Sequence, residues 1–175
     1  MTQQNVYLIG PMGAGKSSIG LQLARISGLP FFDSDRELEK RAGVDIDWIY
    51  DVEGPTGLYQ RERDTILEII RQNPILLSTG GGSITIPEVY DALKSTGIVI
   101  YLQVPFQAQL QRTKRRPQGR PLLAGPDHKE RLQELNTQRE PIYEDLADLT
   151  YLASKMTPKV LAKKIWLDIK EQFSM

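Results

Sequence analysis

The stretch Gly10-Pro11-Met12-Gly13-Ala14-Gly15-Lys16-Ser17 places glycines, a lysine and a hydroxyl at the spacing G-x-x-x-x-G-K-[ST]. Glycines let the backbone curl around an anion with its N–H groups turned inward. Lysine adds a point charge, and a serine hydroxyl is a hard oxygen ligand suited to a divalent cation. This is chemistry for gripping a polyphosphate. On this reading Gly13, Ala14, Gly15, Lys16, Ser17 and Ser18 surround a nucleoside triphosphate, with Lys16 at its β- and γ-phosphates and Ser17 facing Mg²⁺.

A second group of residues supplies acid and base. Asp33-Ser34-Asp35 carries two carboxylates two residues apart, which in extended chain face the same side. One of them, Asp33, suits the magnesium shell. The other, Asp35, suits an alcohol that must lose its proton as it attacks phosphorus. The competing role for these aspartates is to cap a helix starting at Arg36. The strand at residues 98–102 ends in Gln103, so an acidic magnesium partner has to come from elsewhere.

These groups need elements to hold them. A short apolar run at residues 6–9 leads into the glycine loop, and Ile19, Leu23 and Ile26 then recur at helical spacing up to Gly28. Residues 30–32 form a second apolar piece, followed by a helical stretch at 36–42. A longer helix is expected from Pro55 to about Gln72, then a strand at 75–78 ending in Gly80-Gly81-Gly82. A helix at 87–95, a strand at 98–102 and a helix at 106–112 come next. Residues 113–127, basic and rich in Pro and Gly, read as a mobile loop. Helices at 129–146 and 158–173 flank a last strand at 149–152. Near-continuous apolar strands alternating with helices predict a three-layer α/β/α fold with a central five-stranded parallel sheet. The three special segments all fall at strand carboxyl ends, where such sheets bind ligands.

Composition narrows the function classes. A chain of 175 residues suits a single domain, and 22 Lys plus Arg against 22 Asp plus Glu leave no net field to recruit nucleic acid or an anionic membrane. Without cysteine, and with His128 as the lone histidine, disulfide and Cys- or His-cluster zinc chemistry are excluded. Neither a signal-like N-terminus nor a long apolar run is present, so a cytoplasmic monomer acting on a small molecule is expected.

Five motifs in order, Gly10 to Ser17, Phe32-Asp33-Ser34-Asp35, Thr79-Gly80-Gly81-Gly82, Arg120-Pro121-Leu122-Leu123 and Arg139-Glu140-Pro141-Ile142-Tyr143, resemble the shikimate kinase family over nearly the whole chain. The resemblance implies a nucleoside-monophosphate-kinase-like fold, with a substrate-binding region at about 33–62 and a closing lid at about 112–126. It implies transfer of phosphate from ATP, with Mg²⁺, to the 3-hydroxyl of shikimate on the way to aromatic amino acids. Asp35 would hold the shikimate hydroxyls, Gly81 and Gly82 would offer backbone N–H groups, and Arg139 would pair with the carboxylate. Arg120 would swing over the phosphates, while Arg112 and Met156 would flank adenine.

In one place the chain departs from the family. Where the family usually has Phe-Arg three residues before a Glu, this chain has Leu58-Tyr59, with Glu62 kept. Loss of one of two cations clamping a carboxylate costs about 1.5–3 kcal/mol, roughly tenfold to a hundredfold in binding. Arg63, one helical turn beyond Tyr59, is the expected compensating cation. The departure keeps two alternatives open: a kinase of another small polyol acid or nucleotide, and a non-catalytic ATP-binding module.

Overall fold

Five parallel strands form the centre of the molecule, seen here in a computed structural model that describes residues 4–173. In chain order they are β1 (Asn5–Ile9), β2 (Phe31–Asp33), β3 (Leu76–Ser78), β4 (Gly97–Gln103) and β5 (Leu149–Leu152), arranged β2-β3-β1-β4-β5 across the sheet. β1 pairs with β3 through Tyr7 and Leu77 and with β4 through Tyr7 and Val99. Alternate residues of β1 enter two separate cores. Val6 and Leu8 pack toward helices α1 (Lys16–Ser27) and α7 (Pro158–Phe173). Tyr7 and Ile9 pack toward α3 (Ile46–Ile69), α4 (Pro87–Thr96) and α6 (His128–Leu146). Both faces are thus covered, which is why the strands are apolar throughout rather than alternating.

Strand order reverses beside β1, and the crevice this creates at the strand carboxyl ends is where the glycine loop runs into α1. The polar end of the sheet is closed differently. Asn5, buried, donates to the Tyr7 hydroxyl at 2.8 Å and accepts from the Ile75 N–H at 3.0 Å.

Two smaller units sit above the crevice. Leu38 of α2 (Ser34–Ala42) joins Ile46, Ile49 and Leu58 of α3 in a separate cluster. The remaining helix, α5 (Phe106–Arg115), contributes Leu110 to a cluster with Leu132 of α6 and Leu123, the last residue of a short 3₁₀ turn at Pro121–Leu123. That cluster anchors the basic segment between α5 and α6.

The expected strands and most helices are present, with shifted ends. The helix expected to begin at Pro55 begins at Ile46 instead. It is 24 residues long and breaks at Gly54, whose φ of 72° lies in the left-handed region. The segment read as loop at 113–127 is helical to Arg115 and holds the 3₁₀ turn. Among the described residues, no helix is long and apolar enough to cross a membrane.

Candidate active site

The phosphate loop forms the floor of a cleft of about 580 Å³, within the usual range for small-ligand sites. Gly13, Ala14, Gly15, Lys16, Ser17 and Ser18 all line it. Lys16 is folded under the loop, its Nζ donating to the Gly10 carbonyl at 2.7 Å and the Pro11 carbonyl at 3.0 Å. Burial lowers its pKa to about 8 against the pull of Asp35 and Asp33, so the ammonium persists at neutral pH.

Asp33 has two roles at once. One oxygen caps α2, accepting from the Asp35 N–H at 3.2 Å and the Arg36 N–H at 3.3 Å. The other accepts from the Ser17 hydroxyl. The helix therefore starts at Ser34 rather than Arg36, and the extended-chain reason for the two aspartates sharing a side does not hold. They share a cleft because one precedes the helix and the other lies in its first turn. Ser17 and Asp33 present adjacent hard oxygens, a donor pair that fits Mg²⁺. Among the described residues no cluster of three or more His, Cys, Asp or Glu competes for a cation.

Asp35 lines this cleft and also a second, smaller chamber of about 70 Å³. Burial and the neighbouring Asp33 raise its pKa to about 6 despite the opposing pull of Lys16. Gly81 lines both cavities, while Gly82 and Arg139 line the chamber alone. Arg139 is 6% exposed and makes no ion pair among the described residues. A buried guanidinium without a counter-charge calls for an anion. Its place depends on the glycines, because a Cβ at Gly82 would stand 2.8 Å from Arg139 Nη2. The Tyr143 hydroxyl donates to the Gly81 carbonyl and fixes the glycine segment from below.

Arg120 borders both cavities and donates to the carbonyls of Arg112 and Arg116. Arg112 donates to the Gly13 carbonyl at 2.8 Å, at one side of the cleft. Met156, 41% exposed and in extended backbone, lies at its rim. Apart from Arg63, every site residue expected from sequence thus lines one cavity or the other. Arg115, Arg116 and Ser154 also line the cleft. Ser154 carried no sequence signal, whereas the two arginines stood out only as part of a basic run.

Tyr59 and Glu62 both line the chamber. Arg63 does not: it pairs with Asp64 at 2.9 Å and with Glu88 at 3.8 Å, so the compensation expected of it is not made. Arg61 is likewise turned away, held by Glu53. Glu62 Oε2 is buried with no hydrogen-bond partner. Burial, with Asp35 nearby, raises its pKa to about 8, and Arg139 only partly offsets this.

Comparison with known proteins bears on the family and the fold. A family model for shikimate kinase matches residues 12–170. Shikimate kinase of Legionella pneumophila (strain Philadelphia 1) is 48% identical over 162 residues, covering 93% of this chain and 92% of the relative. That of Coxiella burnetii (strain Dugway 5J108-111) is 43% identical over 171 residues, covering 97% and 96%. Among solved structures, shikimate kinase from Acinetobacter baumannii in complex with shikimate superposes with a TM-score of 0.93 at 40% identity, covering 98% of this chain and 96% of that one. Deoxyadenosine kinase from M. mycoides, at 17% identity and a TM-score of 0.67, shares the fold alone. With a matching family model over most of its length and relatives at 43% and 48% identity, this chain belongs to the shikimate kinase family.

Proposed function

We propose that the protein transfers the γ-phosphoryl group of ATP to the 3-hydroxyl of shikimate, with the cleft holding the nucleotide and the chamber holding the acceptor. The observation that carries this reading is the shared border of the two cavities: Met12, Asp35, Gly81 and Arg120 line both. A phosphate on the loop and a hydroxyl in the chamber meet there.

Phosphoryl transfer asks little covalent chemistry of a protein, so positioning and charge do most of the catalysis. Asp35, largely ionised at neutral pH, orients the 3-hydroxyl and takes its proton as the new O–P bond forms and the bond to ADP breaks. Lys16 and Arg120 line the cleft and, on leaving the backbone carbonyls they bond here, meet the negative charge that develops on the transferring group. Arg139 holds the acceptor carboxylate through its two-pronged guanidinium, and Gly81 and Gly82 present backbone N–H groups beside it. Arg112 and Met156 border the nucleotide base. Ser17 and Asp33 would hold Mg²⁺, which when bound neutralises phosphate charge. All these groups belong to one chain, so a monomer suffices.

A coupled ADP-release assay across shikimate, quinate, gluconate and nucleoside monophosphates tests the reading. Turnover is expected with shikimate above all others. Stronger turnover of another acceptor, or ATP binding with no product, would overturn it.

A further inference from the structure

We infer that Glu62, as a neutral acid, is a hydrogen-bond donor to the acceptor's carboxylate, so that anion and proton are held together beside Arg139. The inference rests on the chamber being the acceptor site.

The first support is geometric. Glu62 Oε2 is buried and unpartnered, in a chamber that holds a buried guanidinium without a counter-ion. Gly80 gives the spacing: a Cβ there would lie 2.8 Å from Asp35 Oδ1, 3.0 Å from Ser83 Oγ and 3.4 Å from Glu62 Oε1. Two carboxyl groups therefore converge on one backbone position. Adding a carboxylate from the acceptor would place a third negative group in the same small volume, with Arg139 as the neighbouring cation on α6.

The second support is the full set of charges facing Glu62. Asp35 from α2 opposes its ionisation, Arg139 from α6 favours it, and Arg120 of the lid borders the chamber on a third side. On its own helix the nearest chamber-lining neighbour is Tyr59, one turn away and a phenol where a cation would have favoured ionisation. Arg61 and Arg63 are engaged by Glu53, Asp64 and Glu88. Burial adds to Asp35 in keeping the acid form. A carboxylic acid in this position donates one O–H, and the acceptor carboxylate is the anion available to receive it.

Linkage turns the geometry into a measurable slope. Above about pH 8 the free enzyme releases the Glu62 proton, and binding of the acceptor must recover it. The KM for shikimate then rises by up to about tenfold per pH unit.

The test compares wild type with Glu62→Gln, which keeps a neutral donor, between about pH 6.5 and 9.5. Taking the ratio of their shikimate KM values cancels other ionisations, including that of Lys16. The ratio is expected to be level below about pH 7 and to climb above about pH 8. Tyr59→Arg, which adds a cation one turn from Glu62, should release the proton and flatten the wild-type rise. Calorimetric titration of shikimate in buffers of different ionisation enthalpy gives a readout independent of turnover. Wild type should take up close to one proton at about pH 9 and Glu62→Gln none. A constant KM ratio, or no proton uptake on binding, overturns the inference while leaving the acceptor assignment standing. Absence of shikimate-dependent ADP formation at every pH overturns the assignment and this inference with it.

Discussion

Asp35 and Asp33 are near neighbours in sequence with opposite environments. Asp33 is fixed by two backbone N–H groups and the Ser17 hydroxyl, whereas Asp35 is half-buried, with its carboxyl desolvated beside Asp33 and near Glu62. Replacing Asp35 with Asn should lower kcat by about 10²–10⁴-fold, the range for loss of a general base. Stability should not fall, because burial already disfavours the charge that the change removes. ADP release and thermal unfolding measured on the same sample check both halves. At this scale much was legible in the sequence: the loop residues, both aspartates, Gly81, Gly82 and Arg139 all reach the site. The double role of Asp33 was not, since its two oxygens serve partners 16 residues before it and 2–3 after. Nor was the state of Glu62, which is fixed by burial and by α2 and α6 rather than by its own neighbours.

Elements bring these residues together, and the segment between α5 and α6 is the one that joins the two halves of the site. The Gly119 N–H donates to Asp47 Oδ2 at 2.9 Å, fastening this segment to the first turn of α3. Asp47→Ala removes that acceptor. The KM for shikimate should rise about threefold to tenfold, the worth of one hydrogen bond of this kind, with little change in melting temperature. Initial rates over shikimate concentration provide the check. The start of α3 was missed in sequence because residues 46–53 are too few to show a period before Gly54 interrupts it. It is made by its cap instead: Asp45 accepts from the Trp48 N–H at 2.8 Å, and Glu39 from the Ile46 N–H at 3.1 Å. The latter bond comes from another helix, so local pattern could not reveal it.

For the molecule as a whole, the two raised carboxylates set how stability responds to pH. The folded chain keeps the Glu62 proton up to about pH 8, while the unfolded chain releases it near the ordinary glutamate value of 4.5. More protons bound in the folded state means stability falls as pH rises through that window, and Asp35 adds the same sign up to about pH 6. Glu62→Gln should flatten this slope and raise the melting temperature at about pH 8.5 by several degrees. Below about pH 5 the two proteins should melt alike. The sheet itself was legible from its apolar strands, because both faces of β1 enter cores. The smaller chamber, built from α2, α3, α6 and the segment between α5 and α6, was not, since its walls come from segments far apart in sequence. That chamber, at about 70 Å³, is well below the roughly 300 Å³ of an ordinary small-ligand cleft, so a carboxylated cyclohexene ring seats fully only when its walls shift outward. Passage of each molecule is therefore subject to drag from the medium. Sucrose, a small viscogen, should slow kcat in proportion to viscosity, while a large polymer that thickens only the bulk should leave it unchanged.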